Sequence, residues 1–512
     1  MNVEPLEVFL SGATGFLGHY LLAELLTYSH IRCRVLLRPP LSKSSARLDR
    51  FLAEIGLNLA SLLAAGRVVP VEGELPDSLN PADLNGVDLV LHAAGNTTFH
   101  TNASGQPART NVDGTRALLS SATRAEIPRV VLVSTAYVCG ENVGHQPEVF
   151  FPDMPPVRND YERSKWEAEE LVWDWGRKKG VATICRPSIL FGDSRTGRAT
   201  AMKGLYLVAR ATEILARAME GRDTADRHRI PLRILARGDA TCNVVPVDWA
   251  ARRITAIALA PATESSVHHV TNPDPPTHAE VKGWLEAYFD IAGGRFTDAT
   301  WPLADANHYE ELFYSLGNIC LDYFRNGLTF ESRWAASSRS GQRLVDGPSF
   351  VRCLKYAQTT NWCRAAAEAH DLRPPAGGLD PAWYFERFLP EVVPRSVIAK
   401  VEALTAIVKY TITGPVGGSW ISRFDGGRLT ETRAVPATLT PEFEYRLSYE
   451  GFVDVVGCRR SLQEVFFQGG VEMFGDVERA LKMVPVIGEF LREFPVIGEE
   501  SPAVAGHAGV AC

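Results

Sequence analysis

Thr135, Tyr161 and Lys165 carry the side chains best suited, in this chain, to placing a proton on an oxygen. Tyr161 and Lys165 bound the segment Tyr161-Glu162-Arg163-Ser164-Lys165 and stand four apart, which puts them on one face of a helix. An ammonium beside a phenol favours phenolate, so the tyrosine pKa is expected to fall toward a useful range. Tyr161 then protonates an oxygen that becomes negative as hydride reaches the carbon bearing it, and Thr135 hydrogen-bonds the same oxygen. Lys165 is also placed to hold ribose hydroxyls. Alone, such a pair is an ordinary surface contact; its company in the chain favours the chemical reading.

These groups need a strand and a helix to hold them. Arg129-Val130-Val131-Leu132-Val133-Ser134 is an apolar strand that delivers Ser134 and Thr135 at its C-terminal edge, where parallel sheets bind ligands. A long helix over 160–179 carries Tyr161 and Lys165. At the start of the chain, the strand Val8-Phe9-Leu10-Ser11 runs into Gly12-Ala13-Thr14-Gly15-Phe16-Leu17-Gly18 and then a helical pattern. Gly12 allows the tight turn, Gly15 lets backbone approach a pyrophosphate, and Gly18 lets the helix pack on the strand, with the helix N-terminus facing the phosphates. A further strand, Val87–Leu91, ends in His92-Ala93-Ala94-Gly95, where Ala93 and Ala94 permit close approach to a dinucleotide. His92 reads as a histidine satisfied within the strand end rather than a catalytic one.

The second strand, Arg32-Cys33-Arg34-Val35-Leu36-Leu37, ends in Arg38, and no Asp or Glu occurs between 32 and 48. A site for NAD wants a carboxylate there to accept from the ribose 2′-hydroxyl. Arg38, with Lys43 and Arg47 behind it, suits the 2′-phosphate of NADPH instead. For Lys43 and Arg47 a solvent-facing helix position is an equal reading.

The chain has 512 residues, enough for two or three domains, and a formal net charge of −7 with 46% hydrophobic and 22% charged residues. No long basic stripe is present to track nucleic-acid phosphates. The nine cysteines are scattered without metal-ligand spacing, so reduced buried thiols and no metal site are expected. The fold begins at once, leaving no room for a signal peptide, and no run of 18 apolar residues occurs; a cytoplasmic protein is expected.

Strands at 6–11, 32–37, 67–72, 87–92, 129–134 and 181–186 alternate with helices at 16–28, 44–64, 108–125 and 160–179, the rhythm of a Rossmann-like doubly wound parallel sheet. Residues 1–300 form this domain, with 187–300 mainly on the substrate side. A mainly helical extension over 301–390 contains the boundary loop Arg373–Gly378. A small α+β domain over 391–512 opens with a helix near 391–408, has a hairpin turn at Asp425-Gly426-Gly427, and closes with helices over 449–467 and 476–493.

These motifs resemble the extended short-chain dehydrogenase/reductase superfamily over roughly residues 5–300. The resemblance places Gly12, Gly15 and Gly18 on its cofactor fingerprint, Asn111 on its structural asparagine, and Thr135, Tyr161 and Lys165 on its Ser/Thr–Tyr–Lys triad; Thr135 is preferred to Ser134 because it lies three before Val138. Within the superfamily the wording is most similar to thioester reductases and fatty acyl-coenzyme A reductases. It is carried by Leu37-Arg38 with Ala46-Arg47-Leu48, Tyr161–Glu169, Arg186-Pro187-Ser188-Ile189 and Asn243–Asp248. Pro187, Ser188 and Ile189 join the cofactor-binding set on this resemblance. Leu321-Asp322-Tyr323-Phe324-Arg325 resembles the C-terminal helical part of the fatty acyl reductases.

The resemblance implies NADPH-dependent reduction of an acyl thioester, on coenzyme A or an acyl carrier protein, to an aldehyde and onward to an alcohol. The triad is shared with enzymes acting on a hydroxyl or ketone of a sterol, polyketide or sugar nucleotide, which is the alternative; a lipid-transfer protein is the third reading. Residues beyond 391 resemble, more weakly, a sterol-carrier-type lipid-binding module. Its apolar tunnel suits an acyl chain, at about 0.8 kcal/mol per buried methylene; a capping or dimerisation domain is the other reading. The near-repeat Val484-Pro485-Val486-Ile487-Gly488 and Phe494-Pro495-Val496-Ile497-Gly498 admits three uses: covering the lipid opening, peripheral contact with a membrane surface, or docking on the reductase domain.

Overall fold

Runs such as Val8-Phe9-Leu10 and Val130-Val131-Leu132-Val133 offer no polar face to water, and they lie buried on both sides in a seven-stranded parallel sheet. The computed structural model describes residues 5–494 and 496, apart from 103, 220, 318–322, 324–326, 334–342, 361, 363–378, 397, 399–403, 436–439, 458–459, 461–464 and 466–469. The chain divides into two compact units, one of Met1–Ala209, Arg227–Leu303 and Ile319–Cys363, the other of Arg210–Asp226, Ala304–Asn318 and Arg364–Cys512.

In the first unit the strands are β1 (Leu6–Ser11), β2 (Ile31–Leu37), β3 (Val68–Glu72), β4 (Leu89–His92), β5 (Arg129–Val133), β6 (Val181–Pro187) and, after the short β7 (Ile189–Phe191) and β8 (Val244–Pro246), β9 (Ser266–Val270). Their order is β9-β6-β5-β4-β1-β2-β3. Alternation along β1 sends Val8 and Leu10 into one apolar cluster, with α1 (Phe16–Leu26), α2 (Leu41–Glu54) and α6 (Val247–Leu259). Phe9 enters the opposite cluster, with α4 (Gly114–Arg124) and α5 (Asp160–Lys178). The sheet order reverses between β1 and β4, the kind of switch point at which open α/β sheets bind ligands beyond the carboxyl ends of their strands.

The helix expected over 44–64 is two: α2 ends at Glu54, and α3 (Leu59–Ala64) restarts where the Asn58 side chain accepts from the Ser61 amide. Gly56 between them has φ +81°.

The second unit holds a five-stranded sheet of β10 (Ala406–Thr413), β11 (Gly418–Asp425), β12 (Arg428–Ala434), β13 (Phe443–Ser448) and β14 (Val471–Gly475), in the order β12-β11-β10-β13-β14. The two central strands, β10 and β13, are parallel; the other pairs are antiparallel. The turn expected at Asp425-Gly426-Gly427 joins β11 to β12, with positive φ at both glycines. Of the helix expected over 391–408, residues 397 and 399–403 lie outside the described ones. Among those described, helix covers Leu389–Val392 with a tighter turn over Val393–Arg395, and Ala406 already belongs to β10, whose Ala406, Val408 and Ile412 alternate into the core. α7 (Tyr449–Val456) is shorter than the helix expected to 467, and α8 (Val477–Glu493) carries the first copy of the near-repeat. Val484, Phe490, Leu491, Phe494 and Val496 pack into this unit's own core beside Phe443, Tyr445 and Phe452. Arg373–Gly378, Pro495 and 497–499 lie outside the described residues. No helix among the described residues is long and apolar enough to cross a membrane.

Candidate active site

The glycines of the β1–α1 turn are fixed by contact as much as by conformation. Gly12 has φ +79°, and a Cβ on it would stand 2.5 Å from the Ala94 nitrogen. A Cβ on Gly18 would stand 1.9 Å from the Gly12 carbonyl oxygen, so only glycine lets α1 lie this close to the turn. Gly15 is the exposed N-cap of α1, and no side chain caps that helix; its first amides are left for solvent or an anion. Ala13 and Leu17 are buried, while Thr14 and Phe16 are half-buried at the turn. Ala93 and Ala94, half-buried, follow β4 directly across from Gly12.

A line of hydrogen bonds ties this turn to α5. The Ser11 hydroxyl meets His92 Nδ1 at 2.7 Å and accepts from the Ala94 amide at 3.2 Å. His92 Nε2 meets the Thr115 hydroxyl at 3.0 Å, and that hydroxyl donates to the Asn111 carbonyl at 2.6 Å. With the Thr115 proton committed, Nε2–H donates to Thr115, and Nδ1 accepts from Ser11. Burial pushes the His92 pKa down to about 3, with the Lys165 charge adding to the effect, so the ring is neutral and structural. Asn111, in a π-turn over Arg109–Asp113, donates to the Asn96 carbonyl (2.9 Å) and the Ser164 hydroxyl (2.8 Å) and accepts from the Asn96 amide (2.7 Å). Ser164 in turn donates to the Tyr161 carbonyl at 2.8 Å.

Thr135 follows β5 and caps a 3-10 turn over Ala136–Cys139, its hydroxyl accepting from the Tyr137 amide at 3.2 Å. The Thr135 side chain lies near the Tyr161 phenol and works against burial, pulling its pKa down. Tyr161 and Lys165 lie on the expected helix, α5, but the ammonium does not lower the phenol. The Lys165 Nζ is buried and donates to the Val133 carbonyl at 2.7 Å, and burial raises the Tyr161 pKa to about 12. Burial also lowers Lys165 to about 8, against the pull of the Glu169 carboxylate. Tyr161 is thus an acid in hand at neutral pH rather than a phenolate.

Two buried hydroxyls at the strand ends, Ser134 and Ser188, have no hydrogen-bond partner. Pro187 and Ser188 are buried at the end of β6, and Ile189, half-buried, opens β7. A glycine cradle that any Cβ would fill, open helix amides and two orphaned hydroxyls fit a dinucleotide at that switch point. At the end of β2, the exposed Arg38 lies 3.9 Å from Glu74, and Arg47 is exposed on α2. No group of acidic, histidine or cysteine residues suited to a metal occurs among the described residues, and Cys33, Cys139, Cys185, Cys242 and Cys353 are buried.

Sequence reasoning did not find the groups that hold the start of α5. Asn159 accepts from the Glu162 amide at 3.0 Å, and Asp160 Oδ2 accepts from the Thr101 amide and hydroxyl at 2.8 Å each. An Asn before Asp-Tyr-Glu is a capping signal that the sequence did carry.

Residues 10–254 match the family model described as male sterility protein. The chain is 27% identical over 284 residues to glycine betaine reductase ATRR of Emericella nidulans, covering 52% of this chain and 21% of that protein. It is 29% identical over 304 residues to isonitrile lipopeptide synthase of Streptomyces coeruleorubidus, 56% of this chain and 19% of that one. The match to the large subunit of L-2-aminoadipate reductase of Penicillium chrysogenum is 29% over 317 residues, 56% and 21% respectively. The chain thus spans about a fifth of the length of each of these relatives. Among solved structures, the terminal R domain of the myxalamid PKS-NRPS pathway superposes with a TM-score of 0.55 at 23% identity, covering 71% of this chain and 92% of that domain, a likeness of fold.

Proposed function

Because this chain belongs, through residues 10–254, to the thioester-reductase-related family of extended short-chain dehydrogenases/reductases, we propose that it reduces an acyl thioester with NADPH. The observation that carries the reading is the protonated Tyr161 phenol close to Thr135 at the carboxyl end of β5, near the switch point where such a sheet binds a dinucleotide. The thioester is carried by an acyl carrier protein or coenzyme A.

NADPH, when bound, supplies hydride for the thioester carbonyl carbon. The carbonyl oxygen sits between Thr135 and Tyr161, which donate hydrogen bonds to it as it gains charge. Tyr161 protonates that oxygen to give a hemithioacetal and takes the proton back as the carbonyl re-forms; the carbon–sulfur bond breaks and thiolate leaves with the electron pair, giving an aldehyde. Lys165 holds the ribose hydroxyls. Ser134, Ser188 and the glycine turn hold the cofactor. Purified protein given NADPH and a long-chain acyl thioester is expected to consume one NADPH per free thiol for an aldehyde product and two for an alcohol. Loss of NADPH without thiol would exclude thioester reduction. The apolar interior of the second unit suits a long acyl chain, and mass spectrometry of copurifying lipid tests this.

NADPH rather than NADH follows from Arg38 and Arg47, with no carboxylate between residues 32 and 48. Arg38→Ala is expected to weaken NADPH by about 10-fold or more, the scale of one charge-assisted contact of about 1.5–3 kcal/mol, and to leave NADH-supported turnover nearly unchanged. Dissociation constants for both cofactors decide it; equal losses for the two would remove Arg38 from the 2′-phosphate site.

A further inference from the structure

Tyr161 occupies the first turn of α5, where backbone amides lack helical partners and side chains must hold the chain in place. That turn is fixed by Asn159 at the cap and by Glu162, whose buried carboxylate accepts from the Arg158 amide and guanidinium at 2.8 Å each. Both groups meet at Tyr323, more than 150 residues away in the sequence. The Asn159 amide group donates to the Tyr323 hydroxyl at 2.8 Å, and the nearby Glu162 carboxylate adds to burial in raising that phenol's pKa. The Arg158 guanidinium lies over the Tyr323 ring at 5.2 Å. The ring packs edge-on against Tyr137 at 4.9 Å and against Phe99 at 5.6 Å; Phe99 is in turn 6.2 Å from the Tyr161 ring.

The segment bearing Tyr323 is anchored nearby. Thr329–Phe330 pair with His145–Gln146, and Leu328 is buried beside Tyr137 and Cys139. Holding the Asn159 amide nitrogen turns its oxygen toward the Glu162 amide, so one bond orients the cap of the helix that carries Tyr161.

We propose that Tyr323 is a positioning residue for Tyr161: it orients the cap through Asn159 and fills the gap between Phe99 and Tyr137, fixing where the Tyr161 phenol points. The proposal rests on Tyr161 being the proton donor, and its test separates the two. Tyr323→Phe loses the hydroxyl and keeps the ring; Tyr323→Leu loses both; Asn159→Asp keeps the capping oxygen and loses the donor to Tyr323. Turnover is expected to fall about 5-fold in Tyr323→Phe and more than about 20-fold in Tyr323→Leu, the scale of a sub-ångström misplacement. The KM for thioester and the Kd for NADPH are expected to move by less than about 2-fold, a split that general loss of structure would not give. Asn159→Asp should resemble Tyr323→Phe, and the double variant should lose no more than either single one. A readout free of turnover is the tyrosine ¹³Cζ resonance of Tyr161, identified as the signal absent from Tyr161→Phe. It is expected to shift in Tyr323→Phe.

Full turnover in Tyr323→Phe and in Tyr323→Leu would overturn the proposal, as would an unmoved Tyr161 resonance. Should Tyr323→Leu fail to fold, the phenylalanine and aspartate variants decide. Should the wild-type protein release no thiol from any thioester, the reaction assignment fails, and the resonance alone decides whether Tyr323 positions Tyr161.

Discussion

Tyr161→Phe is expected to lower turnover by about 10²-fold or more while leaving NADPH affinity nearly unchanged. The substitution removes one oxygen and keeps the ring against Phe99, so the cap of α5 and the path of its backbone have no reason to move. The lost group is an acid at every working pH, since burial holds its pKa near 12. Lys165, lowered to about 8, is the group that changes charge in the accessible range. Wild-type turnover at limiting NADPH is therefore expected to decline as pH rises through about 8, where the ammonium proposed to hold the ribose hydroxyls loses its charge. Single-turnover rates, with NADPH binding followed by fluorescence, test the first expectation. An unchanged rate in Tyr161→Phe, under conditions where chemistry limits, would remove the proton-donor assignment.

The second large effect is on stability. Arg186 and Glu169 are both wholly buried and joined by two bonds, Nε to Oε1 at 3.0 Å and Nη2 to Oε2 at 2.7 Å. Arg186 also donates to the Val149 carbonyl at 2.9 Å and lies over the Phe151 ring at 4.7 Å. Arg186→Met leaves a buried carboxylate without its guanidinium, a loss of about 3–5 kcal/mol. Glu169→Leu strands the guanidinium and should cost a similar amount. The double variant is expected to be more stable than either single one, because an apolar pair leaves no unpaired charge. Urea unfolding midpoints give the comparison. Singles that cost under about 1 kcal/mol would mean that water reaches this pair.

Both effects lie partly within reach of sequence reading. The glycine turn was legible because its constraint is steric: the chain can follow that path only without Cβ atoms at Gly12 and Gly18. The parallel strands were legible because a sheet covered on both faces needs unbroken apolar runs. Tyr161 and Lys165 were found by their spacing, but the direction of the Tyr161 shift was not, because spacing carries no information on burial or on the Val133 carbonyl that engages Lys165. Tyr323 was beyond reach as a neighbour of Tyr161, since it arrives from a distant segment through contacts that leave no local pattern. Ala406-Ile407-Val408, the first residues of a strand running to Thr413, fell within the helix expected over 391–408, although the strand's β-branched residues and alternating burial follow a two-residue period. The break at Gly56–Asn58 was a missed punctuation of the same kind.

The hydrogen-bonded histidine between the glycine turn and α4 has a consequence for behaviour in acid. His92 has a folded pKa near 3, and His19 and His269, buried in the same unit, are held near 3 and 4, all below the ordinary 6.5. As pH falls from 6.5 toward 3, the unfolded chain takes up protons that the folded one refuses, so each of these rings draws stability out of the nucleotide-binding unit across that window. Protonating His92 would also give Nδ1 a hydrogen, so Ser11 would have to turn its hydroxyl and accept where it now donates. Tyr161 and Lys165 both titrate above neutrality. Loss of activity in acid is therefore expected to follow unfolding of this unit, set by histidines outside the Thr135–Tyr161–Lys165 group.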